Sequence, residues 1–130
     1  MPAEIKLNLT KNYKLTLKNL KERLVKGLGD ELDSLVLYGS VARGDYGRQS
    51  DIDILLILED KKLEDKISDI RYDVDVKNST VTTFFICTPH EIEKIIHLGF
   101  PFINNVVKEG KVIYDNGTWE RLRRGFVKAS

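Results

Sequence analysis

The sequence predicts an α/β (α+β) fold, a mixed central β-sheet flanked by helices, and three observations carry that expectation. Stretches with helical spacing alternate along the chain with short apolar and β-branched runs. One of those runs, Ile52 to Leu58, is apolar at almost every position, which suits a strand covered on both faces in the middle of a sheet. The strand before it is broken by Gly39-Ser40, a pair suited to a turn from strand into helix or tight loop. At 130 residues the chain is long enough for one domain with a core and too short for two ordinary ones.

The elements follow in order. Between Lys11 and Leu28, Tyr13, Leu17, Leu20, Leu24 and Leu28 recur at helical spacing, with Thr10 placed to cap and Gly29 to stop the run. Beside that apolar stripe Lys11, Lys14, Lys18 and Lys21 form a second one, either a solvated face or a docking surface for an acidic partner. Ser34 to Tyr38 reads as a short strand, Val41 to Gly44 as a helical turn or tight loop, and Asp45 to Ser50 as an exposed loop. Asp60 to about Lys77 returns to helix, burying Leu63, Ile67, Ile70 and Val74, while Asp73 and Asp75 read as part of its solvated face. Thr80 to Cys87 is a third strand. Thr88-Pro89-His90-Glu91 is a capping box that opens a helix through about His97. After Gly99 and Pro101 come a short helix over Phe102 to Lys108, a short strand over Lys111 to Tyr114, and a last helix over Thr118 to Val127 with Arg121, Arg123 and Arg124 outward.

Charge narrows the partners. With 21 Lys and Arg against 20 Asp and Glu, the formal charge of +1 gives no global field for nucleic acid or anionic membrane. The single cysteine, Cys87, lies in an apolar stretch, so no intramolecular disulfide forms and a packed thiol is expected. Met1 to Lys6 has no apolar signal core and no segment reaches the length of a membrane span, which gives the expectation of a cytoplasmic protein.

The chemistry concentrates in Gly39 to Asp53. Alternate side chains of a strand point to opposite faces, so Asp51 and Asp53 share one face and Ile52 and Ile54 the other. Two carboxylates this close repel by about 1 to 4 kcal/mol at effective dielectrics between water and a protein surface. Either a hard divalent cation, Mg²⁺ or Mn²⁺, offsets that repulsion while taking substrate phosphate oxygens as further ligands, or both acids cap backbone amides at an open loop end. Gly39 and Ser40 let a phosphate approach the main chain and add a hydroxyl donor, or they make an ordinary tight turn. Arg43 can pair with phosphate bidentately or lie on the surface. Ser50 either donates to a phosphate or ends the loop.

Gly39-Ser40, ten residues, then Asp51-x-Asp53 resembles the signature of the DNA polymerase β-type nucleotidyltransferase superfamily. The tract Gly39-Ser40-Val41-Ala42-Arg43-Gly44 through Ser50-Asp51-Ile52-Asp53 is similar to its minimal nucleotidyltransferase branch, and the resemblance covers Leu35 to Leu58. It implies a palm-like mixed sheet, with Gly39 and Ser40 near a nucleoside triphosphate such as ATP, and Asp51 and Asp53 binding two metal ions. The implied reaction is attack of an acceptor hydroxyl on the α-phosphorus with release of pyrophosphate.

The chain departs from that pattern at one place. Active members of the superfamily usually add a third carboxylate from the neighbouring strand, and Thr80 to Cys87 contains no acid. Counting back from the Thr88 capping box puts Thr83 at the vacant position, with Thr82 as the one-residue alternative; a hydroxyl there brings no charge, so a second metal is expected to bind weakly. His90 and His97 have no ligand spacing with other residues. The resemblance also implies a separate helical HEPN-type protein partner, for which the Lys stripe and the Arg121, Arg123, Arg124 cluster are candidate surfaces. Two functions follow: transfer of a nucleoside monophosphate from an NTP to an acceptor hydroxyl, or a regulatory, antitoxin-like subunit with weak or no catalysis.

Overall fold

The computed structural model describes residues 10–47 and 50–129; Met1 to Lys6 and the loop pair Arg48 and Gln49 lie outside them. The described residues form α1 (Lys11–Leu28), β1 (Leu32–Tyr38), α2 (Gly39–Arg43), β2 (Ile52–Leu58), α3 (Glu64–Asn78), β3 (Thr82–Cys87), α4 (Pro89–Leu98), α5 (Pro101–Glu109), β4 (Lys111–Asp115) and α6 (Thr118–Ala129). The strands lie in the order β3-β2-β1-β4, with β1 antiparallel to both β2 and β4 and β2 parallel to β3. The parallel pair needs a crossover, and α3 supplies it. The expected mixed sheet with flanking helices is what forms, and β2 sits inside it.

Both faces of β2 are covered, as its apolar run requires. Ile52, Ile54, Leu56 and Leu58 pack with Leu35 and Leu37 of β1 against Leu20 and Leu24 of α1 and Ile67, Ile70 and Val74 of α3. On the opposite face Leu55, Ile57 and Val36 pack against Ile92 of α4, Ile103 and Val106 of α5, and Trp119 and Leu122 of α6. Asp53 is in step with Leu55 and Ile57, so its side chain emerges on the α4-α5-α6 face at the strand's open end. Cys87 is buried on this face, and burial pushes its thiol up to about 12, with the Glu91 carboxylate adding and Lys61 opposing; it is the packed thiol the sequence predicts. Among the described residues no helix is long and apolar enough to cross a membrane.

Local chemistry moves several boundaries. β1 starts at Leu32, earlier than Ser34, because Leu32 pairs with Leu58 across a bulge. Val41 to Arg43 belong to the five-residue helix α2, which starts at Gly39 and is capped by Gly44 at φ 85°. Thr10 does not cap α1 through its side chain; its hydroxyl donates to Asn12 Oδ1 at 2.7 Å. The predicted helix from Asp60 opens as a 3-10 turn over Lys61–Leu63, with Asp60 accepting from the Lys62 amide, before α3 begins at Glu64. The capping box is present in full: Thr88 Oγ1 accepts from the Glu91 amide and Glu91 from the Thr88 amide.

Asp75 corrects a sequence expectation. Asp73 is exposed, with Arg23 at 3.4 Å, but Asp75 is buried. Ser79 takes a left-handed conformation that returns the chain over the last turn of α3, and Asp75 then serves three donors. Its Oδ1 accepts from the Thr80 hydroxyl at 2.7 Å and the Thr82 hydroxyl at 2.8 Å, and its Oδ2 from the Thr82 amide at 2.8 Å. Thr80 is held in turn by Thr16 of α1 at 2.7 Å. Recruitment of Thr80 to this turn is why β3 starts at Thr82.

Candidate functional site

The ends of β1, β2 and β3 bring the site together. Tyr38, Asp53 and Thr83 lie side by side across the three strands, since Tyr38 pairs with Asp53 and Asp53 with Thr83. This is the register that puts Thr83, rather than Thr82, beside Asp53. The Thr83 hydroxyl donates to Asp53 Oδ1 at 2.6 Å, whereas Thr82 faces the other way into the Asp75 turn. Asp51 precedes β2 and is exposed, and the next residue's amide, that of Ile52, donates to the Val81 carbonyl at 2.8 Å.

Gly39 has two reasons to lack a side chain. Its φ is 79°, in the left-handed region, and a Cβ there would lie 2.5 Å from Asp53 Oδ2. The main chain of the Gly-Ser turn therefore lies directly against one of the two acids. Ser40 follows Gly39 in the first turn of α2, where the first amides of a helix have no partner within it. Arg43, at the end of α2, is bound to Asp45 at 3.1 Å and to Glu109 of α5 at 3.3 Å, so its guanidinium is engaged by carboxylates beside the turn. Ser50 closes the loop: its hydroxyl accepts from the Gly47 amide at 2.9 Å and its carbonyl from the Tyr13 hydroxyl at 2.8 Å.

Aromatic residues frame the acids, and the sequence reading assigned none of them. Tyr13 of α1 stacks on Tyr46 of the loop with centroids 5.1 Å apart, and the Tyr46 hydroxyl accepts from the Thr10 amide. The Tyr13 hydroxyl is held above its ordinary pKa by burial, then by Tyr46 and by the charge of Asp51. Tyr38 is likewise raised, by burial and then by the charge of Asp53, so it remains a neutral hydroxyl beside that carboxylate. Strand alternation was the signal for Tyr38, because a residue one step past Leu37 at the strand end must point to the acid face. Nothing local in the sequence pointed to Glu109, which reaches Arg43 only through the packing of α5 on α2.

The donor set suits a cation only in part. Among the described residues no three His, Cys, Asp or Glu side chains converge as a metal-holding group. His90 and His97 are both exposed on α4. Asp51 and Asp53 carry the hard carboxylate oxygens that a divalent ion takes, whereas Thr83 brings no charge.

A sequence model described as the nucleotidyltransferase domain matches residues 17–114. Two Methanocaldococcus jannaschii proteins, each named as a putative protein adenylyltransferase, are similar to the chain. One is 34% identical over 83 residues, covering 54% of this chain and 84% of the relative; the other is 29% identical over 103 residues, covering 79% and 99%. Among solved structures, one from a toxin-antitoxin crystal with AMP-PNP superposes with a TM-score of 0.60 at 17% identity, over 86% of this chain and 85% of that one. Spectinomycin adenyltransferase AAD(9) from Enterococcus faecialis, crystallised with ATP and spectinomycin, gives 0.63 at 17% identity, over 85% of this chain and 58% of that one. At such identities these two superpositions speak for the fold. The matched segment, by contrast, runs from α1 to β4 and takes in the strand ends that carry Gly39, Asp53 and Thr83, and on that match the chain belongs to the nucleotidyltransferase domain family.

Proposed function

We propose that this nucleotidyltransferase domain transfers a nucleoside monophosphate, AMP from ATP in the first instance, to an acceptor hydroxyl, with Asp51 and Asp53 as the acids that hold Mg²⁺ or Mn²⁺. The observation that carries this reading is the contact between Gly39 and Asp53: a phosphate lying on the main chain of the turn also lies beside the carboxylate. A divalent ion there would neutralise phosphate charge and lower the pKa of the attacking hydroxyl. Gly39 and Ser40 would receive phosphate oxygens on backbone amides, and Arg43 would exchange Asp45 and Glu109 for phosphate. Ser50 would keep the loop that leads into Asp51 closed. The new bond joins the acceptor oxygen to the α-phosphorus, and pyrophosphate leaves.

One observation favours a second reading. Thr83 occupies the position beside Asp53 where a third acid would take the acceptor's proton, and a neutral hydroxyl cannot serve as that base. A subunit of this kind would act mainly by binding a partner, such as the HEPN-type helical protein that the sequence resemblance implies; toxin-antitoxin assemblies among the solved structures of the same fold support that setting. Lys11, Lys14 and Lys18 are exposed on α1, and Arg121 on α6, whereas Arg123 and Arg124 are both bound to Glu120. Incubation of the chain and its co-purified partner with ATP labelled at the α-phosphate separates the two. Metal-dependent label on the partner supports transfer; an intact complex that takes no label supports regulation by binding.

A further inference from the structure

We propose that Phe85, backed by Phe102 and Tyr38, is the shelf on which the base of the bound nucleotide stacks; this rests on the triphosphate site proposed above. Phe85 lies two residues beyond Thr83 on β3, hence on the same face and roughly 6.6 Å further along the strand. Thr83 is level with Asp53, and Phe85 is level with Leu55, so the shelf is one pleat inward from the acids. Phe102, near the start of α5, bridges the row, with its ring centroid 4.8 Å from Phe85 and 5.3 Å from Tyr38. Leu55 on the adjacent strand is fully buried, yet Phe85 is 37% exposed on β3, which is an edge strand among the described residues. A large ring open to water beside a charged site is the informative kind of exposure.

The other aromatic groups near the acids are disposed differently. Tyr13 and Tyr46 stack on each other with the core of the opposite face, and Trp119 is buried. A nucleotide with phosphates on Gly39 and next to Asp53 carries its base one sugar away, and the base presents a planar apolar face. Stacking on Phe85 asks for no specific donor or acceptor, so the shelf adds affinity more than choice among bases.

The test compares ATP with inorganic tripolyphosphate, each with Mg²⁺, by calorimetry on the wild type, Phe85→Ala and Phe85→Leu. Phe85→Leu keeps apolar bulk against Phe102 and removes only the ring. ATP affinity is expected to fall roughly 5- to 100-fold in Phe85→Ala and in the same direction in Phe85→Leu, with tripolyphosphate affinity unchanged in both. Unchanged ATP affinity in both variants, or equal losses for the two ligands, overturns the shelf alone. Failure of tripolyphosphate to bind the wild type overturns the triphosphate site and the shelf with it.

Discussion

At the end of the sheet remote from the acids, Asp33 occupies the β1 bulge and is 4% exposed. Its Oδ1 accepts from Asn116 Nδ2 at 2.8 Å, but its buried Oδ2 meets no N–H or hydroxyl donor among the described residues. A protonated Glu59 supplies the missing donor. Its carboxyl is pushed up to about 7, first by the hydrogen bond to Asp33, then by burial and by the charges of Asp33 and Glu31. A folded-state value above the ordinary 4.5 means that this stabilisation is complete below about pH 4.5 and is lost as the pH rises through about 7. Thermal midpoints of the wild type should therefore fall across that interval, while Glu59→Gln, whose amide donates at any pH, should flatten the fall. A gap between the two proteins that does not change with pH would contradict this account. Neither residue is conspicuous in the sequence, because only the pairing of Leu32 with Leu58 brings position 33 near position 59. Gly39 was legible as a turn residue, but its contact with Asp53 depends on how β1 and β2 pair.

At the scale of elements, the geometry of β3 decides what the site can do, and Asp75 anchors the start of that strand. Removing its carboxylate leaves the Thr82 amide and hydroxyl as buried donors without that acceptor and the Thr80 hydroxyl with Thr16 alone. Asp75→Ala should cost about 2 to 4 kcal/mol in urea unfolding, and a loss below about 1 kcal/mol would contradict the anchoring role. Thr83→Asp puts a third carboxylate beside Asp53. In chelator it should lower the melting temperature through repulsion of about 1 to 4 kcal/mol, and Mg²⁺ should close the gap and bind more tightly than to the wild type. Mg²⁺ affinity equal to that of the wild type would argue against the assignment of Thr83 to the vacant position. The order of elements was legible because apolar spacing changes period at each junction, and the Thr88 capping box fixed where β3 ends. What was not legible were the places where a side chain competes for the backbone: the Asp60 turn before α3, the bulge at Asp33, and the withdrawal of Thr80 from β3.

At the scale of the whole molecule, two helical layers close on a sheet whose middle strand, β2, is buried over all its apolar residues and carries Asp53 at its open end. Asp53 is thereby fixed to a rigid support, which suits a residue that has to be held in place for binding. The Gly-Ser turn was legible from spacing alone, and spacing also singled out Asp51 and Asp53 as candidates. The aromatic surround was not, because Tyr38, Phe85 and Phe102 come from three elements and meet only in the packed fold. The central claim is that Asp51 and Asp53 form one metal-dependent phosphate site. Calorimetry of ATP binding with and without Mg²⁺, on the wild type and on the Asp51→Asn, Asp53→Asn double variant, tests it most directly. The wild type should bind ATP more tightly with Mg²⁺ and the double variant should lose that increment; equal Mg²⁺-dependent affinity in the two proteins would contradict the claim.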